Sequence, residues 1–150
     1  MIRVFIGFDS REAVAFHVLS HSIHARASKP VTITPLMLSQ LTGVLTRERH
    51  PLQSTDFSFS RFLTPFLSKY SGWSVFMDCD MLMLDDIAKL WELRDNRYAV
   101  MVVKHDHVPK ETVKFLGERF GRLLAHERGT PCVAASIGRA RYQGCPWEGI

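Results

Sequence analysis

A chain of 150 residues, 46% hydrophobic and 23% charged, has the length and composition of one ordinary globular domain. The formal charge is +4, but the basic residues are scattered and form no block, so a nucleic-acid partner is not indicated. No apolar run approaches the roughly 18 to 20 residues of a membrane span. MIRVFIGFDSRE looks like a first strand and not a secretory signal. Cys79, Cys132 and Cys145 are an odd set without metal-type spacing, which fits reduced thiols and a cytoplasmic chain.

IRVFIGF at 2 to 8 is a nearly continuous apolar run, as expected of a strand buried on both faces of a parallel sheet. Asp9, followed by Glu12, has the pattern of a helix N-cap with an acid in the first turn. Val14, Val18, Leu19, Ser22 and Ile23 continue at helical spacing, and the helix should stop near Ser28, before Lys29 and Pro30. VTITPLML at 31 to 38 predicts a second strand, with Pro35 marking an edge or an irregularity. Residues 39 to 58 suit a loop with a helical turn. FSRFLTPFLSKY at 59 to 70 predicts a helix, kinked or split at Pro65, whose Phe and Leu stripe faces the core. WSVFM at 73 to 77 is a buried strand ending at Asp78. Asp85 and Asp86 cap a short helix, IAKLWEL, followed by a strand at 98 to 103 and a helix at 110 to 117. This alternation predicts an α/β layer fold with a mostly parallel sheet. Ligands of such sheets sit beyond the carboxyl ends of the strands, where Asp9 and Asp78 fall.

The composition changes at Gly117: that residue and those after it hold six of the nine glycines. Residues 118 to 150 contain five Arg and no Lys. This divides the chain into an α/β domain at 1 to 117 and an atypical Arg- and Gly-rich tail at 118 to 150. The tail reads as a frameshifted or misjoined end, or as an irregular but genuine terminus.

SVFMDCDMLML at 74 to 84 places Asp78 and Asp80 in an otherwise apolar run. Unpaired buried charge is expensive, so a cation or an open cleft is expected beside them. In an extended segment residues i and i+2 share a side, so both carboxylates can face one Mg²⁺ or Mn²⁺ ion that also takes phosphate oxygens. The bland reading is a strand-end turn with solvated carboxylates. Asp9 also serves as an ordinary cap, Glu12 as a first-turn acid and Arg61 as a solvated helix residue. His105, Asp106 and His107 suit a loop or the rim of a site. Cys79 should point away from the aspartates and pack inward.

FIGFDSRE, then FSFSRFLTPFLSKYSGWSVFMDCDMLMLDDIAKLWEL, resembles the family 8-type retaining glycosyltransferases of GT-A fold, bacterial members included, over residues 1 to 117. The resemblance implies a nucleotide-sugar donor, usually a UDP-sugar, and Mn²⁺ or Mg²⁺. It also implies transfer of a hexose to a glycan or lipid-linked acceptor that the sequence does not identify. By that resemblance Asp78 and Asp80 hold the metal; Gly7, Phe8 and Asp9 sit where nucleobase and ribose bind; and Arg61 contacts the donor. No catalytic nucleophile or base is implied. The acceptor-side half of that family, with its metal-binding histidine, has no counterpart, and His126 does not match it. The sheet then reads as incomplete on its C-terminal side. The alternatives are a non-catalytic donor-binding fragment and, more remotely, a phosphohydrolase whose first D-x-D aspartate is the nucleophile.

Overall fold

The computed structural model describes residues 1 to 48, 53 and 55 to 103. The expected helix at 110 to 117, the cluster at His105, Asp106 and His107, and the tail at 118 to 150 lie outside the described residues. Within them the chain is α/β. Three parallel strands, β1 (Ile2–Gly7), β2 (Val31–Leu36) and β3 (Val75–Met77), form one sheet in the order β2-β1-β3. The helices are α1 (Ala13–Arg26), α2 (Thr64–Leu67) and α3 (Ile87–Glu92), with 3-10 turns at Ser10–Glu12, Leu38–Gln40 and Ser60–Leu63.

β1 is the central strand, which is why its sequence is apolar without alternation: every residue but Arg3 is buried. Its register sets Phe5 opposite Thr34 on one side and Phe76 on the other, and Gly7 opposite Leu36. Because side chains alternate, Arg3, Phe5 and Gly7 share one face and Ile2, Val4 and Ile6 the other. Pro35 is accommodated because β2 is an edge of this sheet, where a missing N–H has no ladder to break. Leu19 and Ile23 of α1 join the core with Ile87 and Ala88 of α3. Ser22 is buried beside them; its hydroxyl donates to the Leu19 carbonyl (2.8 Å) and accepts from the Met83 N–H (2.9 Å). α1 ends at Arg26, just ahead of the Lys29–Pro30 step that forbids its continuation.

Asp86 caps α3 as expected, accepting from the Ala88 N–H at 2.9 Å. Asp85 instead pairs with Lys89 one turn on, at 2.7 Å.

Two expectations are corrected. The stripe at 59 to 70 faces the core only in part: Leu67 packs against it, but Phe62 is 59% exposed and Phe66 46%, whereas Ser60, Thr64 and Ser68 are buried. Thr64 and Ser68 take the inner face because their hydroxyls find partners there, whereas the buried Ser60 hydroxyl has none among the described residues. Thr64 donates to the Arg61 carbonyl (2.9 Å), and Ser68 and Ser74 share a hydrogen bond (2.6 Å). Their small size lets this segment lie close to the sheet. The split expected at Pro65 is seen: a 3-10 turn at Ser60–Leu63 gives way to the short α2, and Pro65 sits in the first turn of α2, where its missing N–H is harmless. After α2, Lys69 and Tyr70 both adopt left-handed backbone (φ 54° and 49°), a strained turn for residues with side chains. Arg3 steadies it: its guanidinium donates to the carbonyls of Ser68, Ser71 and Trp73.

The second correction concerns residues 98 to 103. They form no strand; Tyr98, Val100, Val102 and Val103 are exposed and only Met101 packs against the core. An apolar run becomes a strand only when a neighbour takes its ladder of N–H and C=O groups, and this one joins no sheet among the described residues.

Candidate functional site

β1 connects through α1 to β2 on one side, while β3 lies on the other side of β1. The carboxyl ends of β1 and β3 therefore flank a point where the strand order reverses, the usual binding crevice of an open parallel sheet. Asp9 follows β1 and Asp78 follows β3.

Asp9 is only 1% exposed. Its carboxylate accepts from the Arg11 backbone N–H (2.9 Å) and from Arg11 Nε (3.0 Å) and Nη2 (2.8 Å). It also accepts from the Asp56 N–H at 3.1 Å. It thus caps the Ser10–Glu12 turn and ties it to the loop at 55 to 59. The Arg11 side-chain hydrogen bonds outweigh burial, and with the two backbone N–H groups they lower Asp9 from 3.8 to about 2. A carboxylate depressed on folding stabilises above its unfolded pKa and loses that contribution as pH falls through its folded one. Stability from Asp9 should be complete above about pH 4 and vanish towards pH 2. The shift corresponds to about 2 kcal/mol at ~1.36 kcal/mol per unit. Urea titrations from pH 2 to 6 should show a shallower acid loss in Asp9→Asn than in the parent; equal slopes would assign the acid sensitivity to other carboxylates.

The loop that Asp9 holds delivers Phe57, 3% exposed, onto Gly7: a Cβ at Gly7 would lie 2.4 Å from Phe57 Cδ2. Arg61 follows, its guanidinium 5.4 Å from the Phe57 ring centre and 5.3 Å from that of Phe76. Its Nη2 lies 3.2 Å from Asp78 Oδ1. Asp78 is 6% exposed, so a stacked guanidinium supplies the cation that its burial demands. Asp80 is exposed. Cys79 between them packs inward as expected and donates its thiol to Glu12 Oε2 (3.3 Å). Burial, reinforced by the Glu12 hydrogen bond, pushes the Cys79 thiol up to about 12, which makes it an unreactive core residue.

Asp9, Arg61 and Asp78 are thereby joined at one rim through Asp56, Phe57 and Gly7. Phe8 turns aside and packs edge-on against Phe16 of α1 (5.5 Å). The sequence reading missed Phe57, Arg11 and the Glu12–Cys79 contact. Nothing local signals them, since each depends on a long-range approach or on a turn geometry. An open concavity of about 410 Å³ lies elsewhere, lined by Arg3, Phe5, Thr32, Thr34, Gln40 and Leu67 among others. None of the rim residues lines it.

Among the described residues no group of three or more His, Cys, Asp or Glu could hold a metal ion. Two carboxylates, one already neutralised by Arg61, do not fit a cation held by protein alone. Residues 79 and 80 form a turn beyond β3 instead of the expected extended segment, and a hard cation here would have to complete its shell with phosphate oxygens and water. Among the described residues no helix is long and apolar enough to cross a membrane.

The chain is similar to Protein CDI of Arabidopsis thaliana, with 55% identity over 117 residues, 77% of this chain and 45% of the relative. It therefore spans less than half the length of that relative. No protein-family model and no solved structure matches the chain. The resemblance to family 8-type glycosyltransferases is corrected accordingly: no glycosyltransferase family model matches, and the curated relative that does match carries a different name. D-x-D after an apolar strand is a short pattern that separate α/β lineages reach independently, so it does not carry family membership.

Proposed function

We propose that the rim at the carboxyl ends of β1 and β3 binds a nucleotide-sugar, with a UDP-sugar as the first candidate, and that the protein transfers its hexose to an acceptor. The observation that carries the reading is the buried Arg61–Asp78 pair at the reversal point of a parallel sheet, with Asp80 exposed two residues further on. The sheet would then serve as the donor-binding layer of a GT-A-like fold. Arg61 supplies a positive charge for a diphosphate, packed near the rings of Phe57 and Phe76. Asp78 and Asp80 would hold Mg²⁺ or Mn²⁺, which when bound neutralises a departing diphosphate. Gly7 and Asp9 shape the floor next to it, Gly7 by admitting Phe57 and Asp9 by fixing the loop that carries it. No side chain of the rim is assigned as nucleophile or base.

A ligand that binds only the folded state raises its stability, by about 2.7 kcal/mol at a hundredfold excess over Kd. UDP with Mn²⁺ should therefore raise the melting temperature, and Asp80→Asn should remove the metal-dependent part of the rise. Equal stabilisation of both forms by UDP and Mn²⁺ would take Asp80 out of the site. No stabilisation of the parent at millimolar ligand would overturn the reading.

A further inference from the structure

α1 has a second face that the core does not use. His17, His21 and His24 are all exposed, on a helix that runs from Ala13 to Arg26. Successive residues turn by about 100° and rise about 1.5 Å, so these positions fall within an arc of about 60°. His17 and His21 are neighbours on consecutive turns, with Cβ atoms about 5–6 Å apart, and so are His21 and His24. His17 and His24 stand about 10 Å apart along the axis, too far for one ion to take all three. Among the described residues no hydrogen bond or ion pair engages the three imidazoles. Val14, Val18 and Ala25 are the other exposed residues of this face, so no charge within it competes. Arg26 is turned back to the Ser22 carbonyl (3.4 Å).

We propose that His17 and His21 form a two-imidazole chelate for a borderline transition metal such as Cu²⁺, Ni²⁺ or Zn²⁺, with His24 as the alternative partner of His21. Two imidazoles one turn apart on a rigid helix bring their lone pairs within reach of one ion, and water takes the open positions. The site is distinct in chemistry from the aspartate rim. Imidazole nitrogen selects Cu²⁺, Ni²⁺ and Zn²⁺, with Cu²⁺ bound most tightly, whereas carboxylates select Mg²⁺ and Mn²⁺.

The test is calorimetric titration of the untagged full chain with Cu²⁺ and separately with Mg²⁺. It is run on the parent, His17→Ala, His21→Ala and the double variant His105→Ala/His107→Ala. Alanine is a better helix former than histidine, so α1 persists in the variants, and circular dichroism verifies it. His21→Ala removes the ligand common to both pairs and should lower Cu²⁺ affinity at least tenfold. His17→Ala should lower it less, and the 105/107 variant should bind as the parent does. Mg²⁺ affinity should be the same in all four. Parent-like Cu²⁺ binding by His21→Ala would overturn the assignment, as would loss confined to the 105/107 variant or no Cu²⁺ binding by the parent.

Discussion

Arg61→Ala should destabilise the fold by about 3 kcal/mol or more, within the range for removing one partner of a buried ion pair. The Arg61 and Asp78 side chains are 16% and 9% exposed, so water cannot take over as counter-charge. The loss also removes a guanidinium packed over Phe57 and Phe76. Most of the damage is the stranded carboxylate, not the lost attraction. Asp78→Asn introduced beside Arg61→Ala should therefore recover at least half of the stability. Urea denaturation of the parent, both single variants and the double variant measures the coupling directly. Strictly additive losses would show that Arg61 does not hold Asp78. The pair also sets the charge of the rim. Asp78 is already balanced by Arg61, so a cation arriving alone would compete with the guanidinium.

The legible parts of the fold are those dictated by neighbours in sequence. β1 could be read because a central parallel strand is apolar throughout, and the end of α1 because Pro30 forbids helix before it. Pro35 pointed to an edge for the same backbone reason. Asp86 could be read as a cap because an Asx cap acts over two residues. The rim was legible in outline, since Asp9 and Asp78 each end a strand. Their partners were not. Arg61 was singled out, yet the structure engages it with Asp78 itself, a contact that only the folding of 55 to 67 over the sheet creates. Glu12 reaches Cys79 across 67 positions. The stripe at 59 to 70 held for Leu67, which packs against the core, and misled for Phe62 and Phe66, because helical periodicity does not say which residues of a segment turn inward. Phe62 and Phe66 lost to Ser60, Thr64 and Ser68 because a short turn beside a sheet needs small residues at its contact. The run at 98 to 103 misled in another way: apolar content allows a strand but does not supply its partner.

Gly7→Ala should be severely damaging for a single-methyl change, costing about 3 kcal/mol, the upper end of ordinary overpacking. The added Cβ would sit 2.4 to 2.9 Å from three atoms of the Phe57 ring, closer than carbon atoms approach. Neither side yields easily. Gly7 is fixed in register opposite Leu36, and the backbone next to Phe57 is fixed by the bond from the Asp56 N–H to Asp9. Gly7 does not lie at positive φ, so the glycine is required by close approach alone and its effect is relieved by making room. Phe57→Leu in the same chain should therefore restore part of the loss, and the double variant should be more stable than the two single losses summed. Chemical denaturation midpoints decide it, and a Gly7→Ala loss under about 0.5 kcal/mol, the level of an inconsequential surface change, would show that Phe57 moves freely. The damage should also reach the rim. Phe57 cannot shift without disturbing Arg61, whose Nε donates to the Phe57 carbonyl at 3.4 Å. In Gly7→Ala the stabilisation by UDP and Mn²⁺ should fall along with the fold, while Cu²⁺ binding at His17 and His21 should persist under conditions where the chain remains folded.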